Sequence, residues 1–324
     1  MQKIKTGIIG GAGYTAGELL RILVFHSQVE IVFVNSTSNT GNAVADIHSG
    51  LTGDTDLRFI AELPFHEVDV LFLCSAHGDS KKFMQKNELP DRLKIIDLST
   101  DFRAESSEHN FIYGLPELNK TKIQKAQRIA NPGCFATAIE LALLPLASKN
   151  LLTDEIHINA ITGSTGAGVK LSETSHLSWR NNNISVYKAF EHQHLQEIRQ
   201  SIRQLQVDFD KAINFIPVRG NFTRGIFVTA YTKCTLSLEK ARELYTDFYY
   251  ESAFTIVVNQ NPDMKQVVNT NKAIVYLEKH DDKLFIISAI DNLLKGASGQ
   301  AVQNMNLMFG LNEREGLNLK AIGF

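Results

Sequence analysis

The stretch "GIIGGAGYTAGELL" (7–20) decides the first half of the fold. It runs from an apolar, strand-like segment through Gly10, Gly11 and Gly13 into a segment with the apolar spacing of a helix. A dinucleotide pyrophosphate needs such a turn, because no Cβ atom obstructs the backbone and the free N–H groups of the following helix face the phosphates. Gly10, Gly13 and Ala16 give the spacing G-x-x-G-x-x-A, a variant of the usual fingerprint, and Gly11, Tyr14 and Thr15 complete the candidate cofactor turn. Outward from it, "EIVFVNS" (30–36), "VDVLFLC" (68–74) and "LKIIDLS" (93–99) alternate with helix-like segments. That alternation predicts an α/β domain, a Rossmann-type doubly wound parallel sheet, because parallel neighbours need crossovers.

From about residue 155 the pattern changes to longer strand-like runs, "IHINAITG", "INFIPV", "RGIFVTAYTKC" and "AIVYLEKHDDKLFIISAI". The last is broken by an Asp-Asp turn that predicts a hairpin. The helical segments "HLQEIRQSIRQL" and "SLEKARELYTDFYY" interrupt the strands, so the second half reads as an α+β domain with a mixed or antiparallel sheet. An apolar-faced helix, "SGQAVQNMNLMFGL" (298–311), closes the chain.

Composition narrows the partners. The chain has 324 residues, 21% charged, with a formal net charge of −2. It carries no basic field for nucleic acid or for an anionic membrane, so a small molecule is the expected partner. Three cysteines, at 74, 134 and 234, give no pairing framework and no CxxC, which argues for a reducing compartment and against a metal site. A strand-like start without a signal sequence, and no apolar run of about 18 residues, predict a cytoplasmic protein.

After the second strand, "VFVNSTSNTG" offers no acidic residue for a ribose 2′-hydroxyl. Ser36, Thr37, Ser38 and Asn39 offer hydrogen bonds to a 2′-phosphate instead, so the expected cofactor is NADP. In "NPGCFATAIELALLPLA" (131–147), Asn131 reads as the N-cap of a helix, Pro132 as its first residue, and Cys134 as the third residue of its first turn. There the positive helix end favours a thiolate, the form in which cysteine attacks. Cys74, inside an apolar run, and Cys234, at a strand end, read as packing. A thiolate and a nicotinamide on one chain point to thioester chemistry, in which an acyl carbon exchanges hydride with the cofactor. His192 and His194 in "YKAFEHQHLQEI", just before a helix, are the candidate proton carriers.

Taken together, "GGAGYTAGELL", "IDLSTDFR", "YGLPE", "NPGCFAT", "GSTGAG", "EHQHLQEI" and "DNLLKGASGQAVQNMNLMFGL" resemble, in order and over nearly the whole chain, the N-acetyl-gamma-glutamyl-phosphate reductase family of arginine biosynthesis. That family is related to aspartate-semialdehyde dehydrogenase. The resemblance implies NADPH-dependent conversion of N-acetyl-L-glutamyl 5-phosphate to the 5-semialdehyde with release of inorganic phosphate. It makes Cys134 the nucleophile, His192 and His194 the acid–base pair, and Tyr187 a neighbour of that pair. It suggests Arg103, Asn131, Ser164, Thr165, Gly166 and Arg224 as substrate-binding residues. Ser75, His77 and Gly78 in the "SAHG" turn, with Asn292, Lys295 and Gly296 in "DNLLKG", join the cofactor set.

The resemblance also implies a dinucleotide-binding domain of residues 1–133 with the C-terminal segment 297–324, a catalytic and oligomerisation domain of 134–296, and a homodimer or homotetramer. Gln193 stands where the family reads His-Arg-His, Asn39 follows Ser38 where an arginine is frequent, and "NFTRG" replaces "PMNRG". The two departures near the expected substrate leave the acyl group open between acetyl and succinyl. A sister reductase of aminoadipyl or aspartyl phosphate and a non-catalytic nucleotide sensor are the alternative readings.

Overall fold

The computed structural model describes residues 2–323. The chain divides into two compact units, Met1–Pro132 with Ala297–Asn318, and Gly133–Gly296 with Leu319–Phe324. The terminal segment was expected with the nucleotide domain; its backbone instead takes a hydrogen bond from the second unit, where Asn269 Nδ2 donates to the Lys320 carbonyl at 3.1 Å.

In the first unit, β1 (Ile4–Ile9), β2 (Val29–Asn35), β3 (Phe59–Ile60), β4 (Val70–Leu73), β5 (Lys94–Asp97), β6 (Ile112–Tyr113) and β7 (Arg128–Ala130) form one sheet. All of its pairings are parallel, in the order β3-β2-β1-β4-β5-β7-β6. Helices α1 (Tyr14–Leu23), α2 (Val44–Ile47), α3 (Asp79–Lys86) and α4 (Pro116–Lys125) provide crossovers. Strand order reverses between β1 and β4, the switch point at whose carboxyl edge open α/β sheets bind ligands. The glycine turn leaves β1 at that edge. Gly10 has φ +75°, and a Cβ on it would lie 2.8 Å from the Cys74 carbonyl oxygen at the end of β4, so only glycine fits.

The last helix of the chain, Ser298–Met308, differs from its expected apolar-faced form: all eleven residues are buried. Its polar side chains therefore need partners inside the protein. Asn304 Nδ2 donates to the Gly114 carbonyl at 2.9 Å, Ser298 Oγ to the Thr15 carbonyl at 2.7 Å, and Asn306 Nδ2 to the Glu315 carbonyl at 2.9 Å.

The second unit holds β8 (Ile156–Thr162), β9 (Ser185–Val186), β10 (Ile213–Arg219), β11 (Ile226–Lys233), β12 (Thr255–Val258), β13 (Ala273–His280) and β14 (Lys283–Ile290). They form a mixed sheet in the order β12-β13-β14-β11-β8-β10-β9. The hairpin between β13 and β14 turns at Asp281, whose φ of +49° is one that aspartate tolerates in a turn. Helix α5 (Cys134–Ala147) is buried from Phe135 to Ala147 and packs on this sheet with α7 (His194–Leu205) and α8 (Leu238–Phe248). The short α6 (Leu177–Arg180) lies in the loop before β9. Pro145 has no N–H for the Leu141 carbonyl, and the Tyr249 hydroxyl donates to that carbonyl at 2.6 Å. Ser201 Oγ donates to Glu140 Oε1 at 2.8 Å, which ties α7 to α5. Among the described residues, no helix is long and apolar enough to cross a membrane.

Candidate active site

Helix α5 starts two residues later than its sequence suggests. Gly133, extended at φ −70° and ψ 149°, is the N-cap, and Cys134 is the first helical residue. Asn131 cannot cap because its side chain is engaged elsewhere: Nδ2 donates to the Ala297 carbonyl at 3.0 Å, and Oδ1 accepts from Asn304 Nδ2 at 3.1 Å. Asn131 is also buried, within the first unit. Cys134 nonetheless stays in the first turn, half-buried, where the helix dipole favours negative charge. Gly296 packs closely here; a Cβ on it would lie 2.8 Å from Cys134 Cβ.

The helix entry has a partner that sequence reasoning missed. Glu197 Oε2 accepts the Gly133 amide hydrogen at 2.8 Å, and Glu197 Oε1 lies 3.8 Å from His194 Nε2. The available signal was the spacing His-x-x-Glu, which puts both residues on one face of the first turn of α7.

The two histidines stand together, with ring centroids 4.6 Å apart, and both are buried. The aromatic rings of Phe135 and Phe215 lie 5.4 Å from His192, and that of Tyr187 lies 5.8 Å away. Burial, helped by the Lys188 charge, pushes His192 down to about 4, so its ring is neutral near pH 7. The His194 amide donates to His192 Nδ1 at 3.2 Å. A neutral ring that accepts at Nδ1 carries its hydrogen on Nε2, which makes His192 a hydrogen-bond donor.

The arginines are distributed differently from the sequence expectation. Arg224 is bound to the fully buried Asp291, through Nε to Oδ2 at 3.1 Å and Nη2 to Oδ1 at 3.1 Å. Asp291 also accepts the amides of Asn269, Leu293 and Leu294, so this pair locks three loops. Arg103 is buried in the first unit, donating from Nε to the Asn131 carbonyl at 2.8 Å and from Nη2 to the Leu98 carbonyl at 2.9 Å. Arg103 thus braces backbone carbonyls, and Arg224 pairs with a buried carboxylate.

Tyr187 instead faces Arg219, whose guanidinium carbon lies 4.3 Å from the centre of its ring. The pairing of β9 with β10 sets this contact, since Ser185 lies opposite Arg219 and the Tyr187 amide donates to Pro217. Burial, with the nearby Cys134 charge adding to it, raises the Tyr187 phenol and keeps it protonated.

Ser164, Thr165 and Gly166 follow β8 in a short 3-10 turn. The Ser164 amide donates to Phe222, and Thr165 Oγ1 donates to the Thr223 carbonyl at 2.6 Å. Asn292 fastens the same turn, donating to Thr165 Oγ1 at 3.0 Å and accepting the Gly225 amide at 2.7 Å. Asn292, Lys295 and Gly296 lie in the second unit, with Lys295 fully buried.

In the first unit, Gly13 caps α1 without any side-chain cap, leaving the helix N-terminus to backbone amides beside Tyr14, Thr15 and Ala16. Gly11 donates its amide to Asn35 at 2.8 Å, which holds the turn against the end of β2. There Asn39 Nδ2 donates to both Ser36 Oγ and Ser38 Oγ at 3.0 Å, forming an uncharged polar cluster. The "SAHG" turn is partly occupied: Asp101 Oδ1 accepts the Gly78 amide at 2.7 Å, and His77 Nδ1 accepts the Thr100 amide at 3.2 Å. Ser75 remains half-buried at the end of β4.

Comparison with known proteins follows this division. The family described as semialdehyde dehydrogenase, NAD binding domain, matches residues 5–126, and the semialdehyde dehydrogenase dimerisation domain matches 134–292. A protein of Parabacteroides distasonis named N-acetyl-gamma-glutamyl-phosphate reductase is 61% identical over 99% of this chain and 100% of its own length. The protein of that name from Azobacteroides pseudotrichonymphae is 63% identical over the same shares. The chain belongs to the N-acetyl-gamma-glutamyl-phosphate reductase family.

At the level of fold alone, it is similar to aspartate semialdehyde dehydrogenase II of Vibrio cholerae, with a TM-score of 0.74 at 15% identity, covering 96% of this chain and 99% of that one. The aspartate semialdehyde dehydrogenase of Candida albicans, solved with NADP, gives 0.70 at 14% identity over 95% and 99%. The expected fold class is the one found: a Rossmann-type parallel sheet and a mixed sheet with helices.

Proposed function

We infer that this chain is an NADP-dependent N-acetyl-gamma-glutamyl-phosphate reductase, converting N-acetyl-L-glutamyl 5-phosphate to the 5-semialdehyde with release of phosphate. The observation that carries the reading is Cys134 on the first helical position, with Glu197, His194 and His192 gathered in the same unit, in a chain of this family.

Gly10, Gly11 and Gly13 and the open N-terminus of α1 suit a pyrophosphate, and the Ser36, Ser38 and Asn39 cluster suits a 2′-phosphate. NADPH, when bound, supplies the hydride that reduces the acyl carbon. The other steps belong to the side chains. Cys134 Sγ, as thiolate, attacks the 5-acyl carbon; the carbon–oxygen bond to phosphate breaks, and phosphate leaves with the bonding pair. The acyl group stays on sulfur as a thioester. His194, held by the Glu197 carboxylate, takes the thiol proton and later returns it to the oxygen of the reduced thiohemiacetal. His192 Nε2–H steadies the developing oxyanion as a neutral donor. In the collapse of the thiohemiacetal its hydroxyl proton returns to His194, the carbon–sulfur bond breaks with the pair going to sulfur, and the aldehyde leaves with the thiolate restored.

The enzyme works as a homo-oligomer through its second unit, in the cytoplasm, with acyl phosphate and inorganic phosphate as its small-molecule partners. The test is phosphate-dependent reduction of NADP by N-acetyl-L-glutamate 5-semialdehyde, followed at one-to-one stoichiometry. Equal rates with NAD overturn the cofactor assignment; turnover without phosphate overturns the reaction class.

A further inference from the structure

Arg180 and Arg219, both in the second unit, have no acidic partner among the described residues. Arg180, at the end of α6, is only 9% exposed, and its Nε and Nη1 have no hydrogen-bond partner. Its guanidinium carbon lies 5.6 Å from the centre of the Trp179 ring. Arg219, at the end of β10, donates from Nη1 to Thr174 Oγ1 at 3.0 Å and covers the Tyr187 ring. The charges of the two guanidiniums act on each other, and both act on Tyr187, which also senses Cys134. A guanidinium does not give up its proton, so two positive charges act on each other here, and one of them is buried with N–H groups that have no partner among the described residues. Such an arrangement is unfavourable unless an anion completes it. Arg103 and Arg224, the arginines that sequence suggested for this task, are spent on backbone and on Asp291.

We propose that Arg180 and Arg219, with Tyr187 beneath Arg219, form the receptor for a substrate carboxylate, and so help to set which N-acyl-glutamyl compound the enzyme accepts. The inference rests on the acyl-phosphate reductase reading above. A planar carboxylate matches the paired donors of a guanidinium fork. It has two sources, the α-carboxylate of the glutamyl unit or a carboxylate at the end of the N-acyl group, as in a succinyl group.

The experiment compares wild type, Arg180→Gln and Arg219→Gln as full-length enzymes. Substrates are N-acetyl- and N-succinyl-L-glutamate 5-semialdehyde, with phosphate and NADP. Each variant is expected to raise the aldehyde KM about ten- to a hundredfold, the weight of hydrogen bonds to a charged group, and to leave kcat within about threefold. The KM for phosphate should stay unchanged. A rise for both aldehydes assigns the α-carboxylate; a rise for the succinyl compound alone assigns the acyl carboxylate.

A second readout separates binding from framework. Removing a buried, unpartnered charge should leave the ligand-free melting temperature of Arg180→Gln equal to or above wild type, while the upshift given by N-acetyl-L-glutamate or N-succinyl-L-glutamate disappears. Unchanged KM for both aldehydes, a change confined to phosphate, or retained upshifts in both variants overturns the proposal. A wild-type enzyme inactive on both aldehydes overturns the functional reading instead, and the melting shifts still decide the receptor.

Discussion

Glu197 accepts the Gly133 amide hydrogen at 2.8 Å with one carboxylate oxygen and lies 3.8 Å from His194 Nε2 with the other. One buried side chain therefore ties the helix entry before Cys134 to the ring assigned to proton transfer. In Glu197→Gln the amide oxygen can still take the Gly133 hydrogen bond, but the negative charge is gone. Loss of that charge removes the carboxylate that holds His194 and offsets the positive charge it gains on taking a proton, so kcat falls across the pH range. The expected fall in kcat at the optimum is about ten- to a hundredfold, less than the usual worth of a whole acid–base group. A profile superimposable on wild type would remove Glu197 from the mechanism.

His192 gives a stability signature. Its folded pKa, about 4, lies below the ordinary 6.5, so between these values the unfolded chain binds the extra proton. Stability is lost as pH falls from 6.5 toward 4, and above 6.5 this group adds no pH dependence. Urea unfolding of wild type and His192→Gln at pH 7 and pH 5 isolates the effect. Wild type should lose more stability over that interval; parallel losses would mean that His192 is not held neutral.

The three cysteines should react unequally. Burial, with Asp97 adding to it, pushes the Cys74 thiol up to about 12, and Cys234 is buried. Iodoacetamide at neutral pH should therefore alkylate Cys134 first, with loss of activity in step, as peptide mapping would read. Faster modification of Cys74 would contradict this.

Arg224→Met tests the reassignment of that residue from substrate to framework. It leaves the Asp291 carboxylate buried without its cation, a loss of about 3 kcal/mol or more. Unfolding midpoints should drop accordingly, while the aldehyde KM of the folded enzyme changes by less than about threefold. A large KM rise at unchanged stability would return Arg224 to the substrate.

Much of this was legible in the sequence, because periodicity and turn chemistry are local. The glycine turn, the core strands and α7 at 194–205 follow from residues adjacent in the chain. The short β3, β6, β7, β9 and β12 carry too few residues to show a period. The pairing of Arg224 with Asp291 was not legible, since the two meet across 67 positions and nothing in "NFTRG" announces it. The N-cap of α5 was misplaced for the same reason: Asn131 is withdrawn by Asn304, 173 positions away. Composition also concealed the Arg180 and Arg219 pair, which a chain of net charge −2 does not advertise.

The central claim is a thioester on Cys134. Enzyme mixed with NADP and N-acetyl-L-glutamate 5-semialdehyde in the absence of phosphate should release one NADPH per active site and stop. The acyl group should then appear on the Cys134 peptide by mass spectrometry and be removed by added phosphate or hydroxylamine. Cys134→Ser should show neither burst nor adduct. A full burst in Cys134→Ser, or a wild-type burst with no adduct on Cys134, would contradict the account.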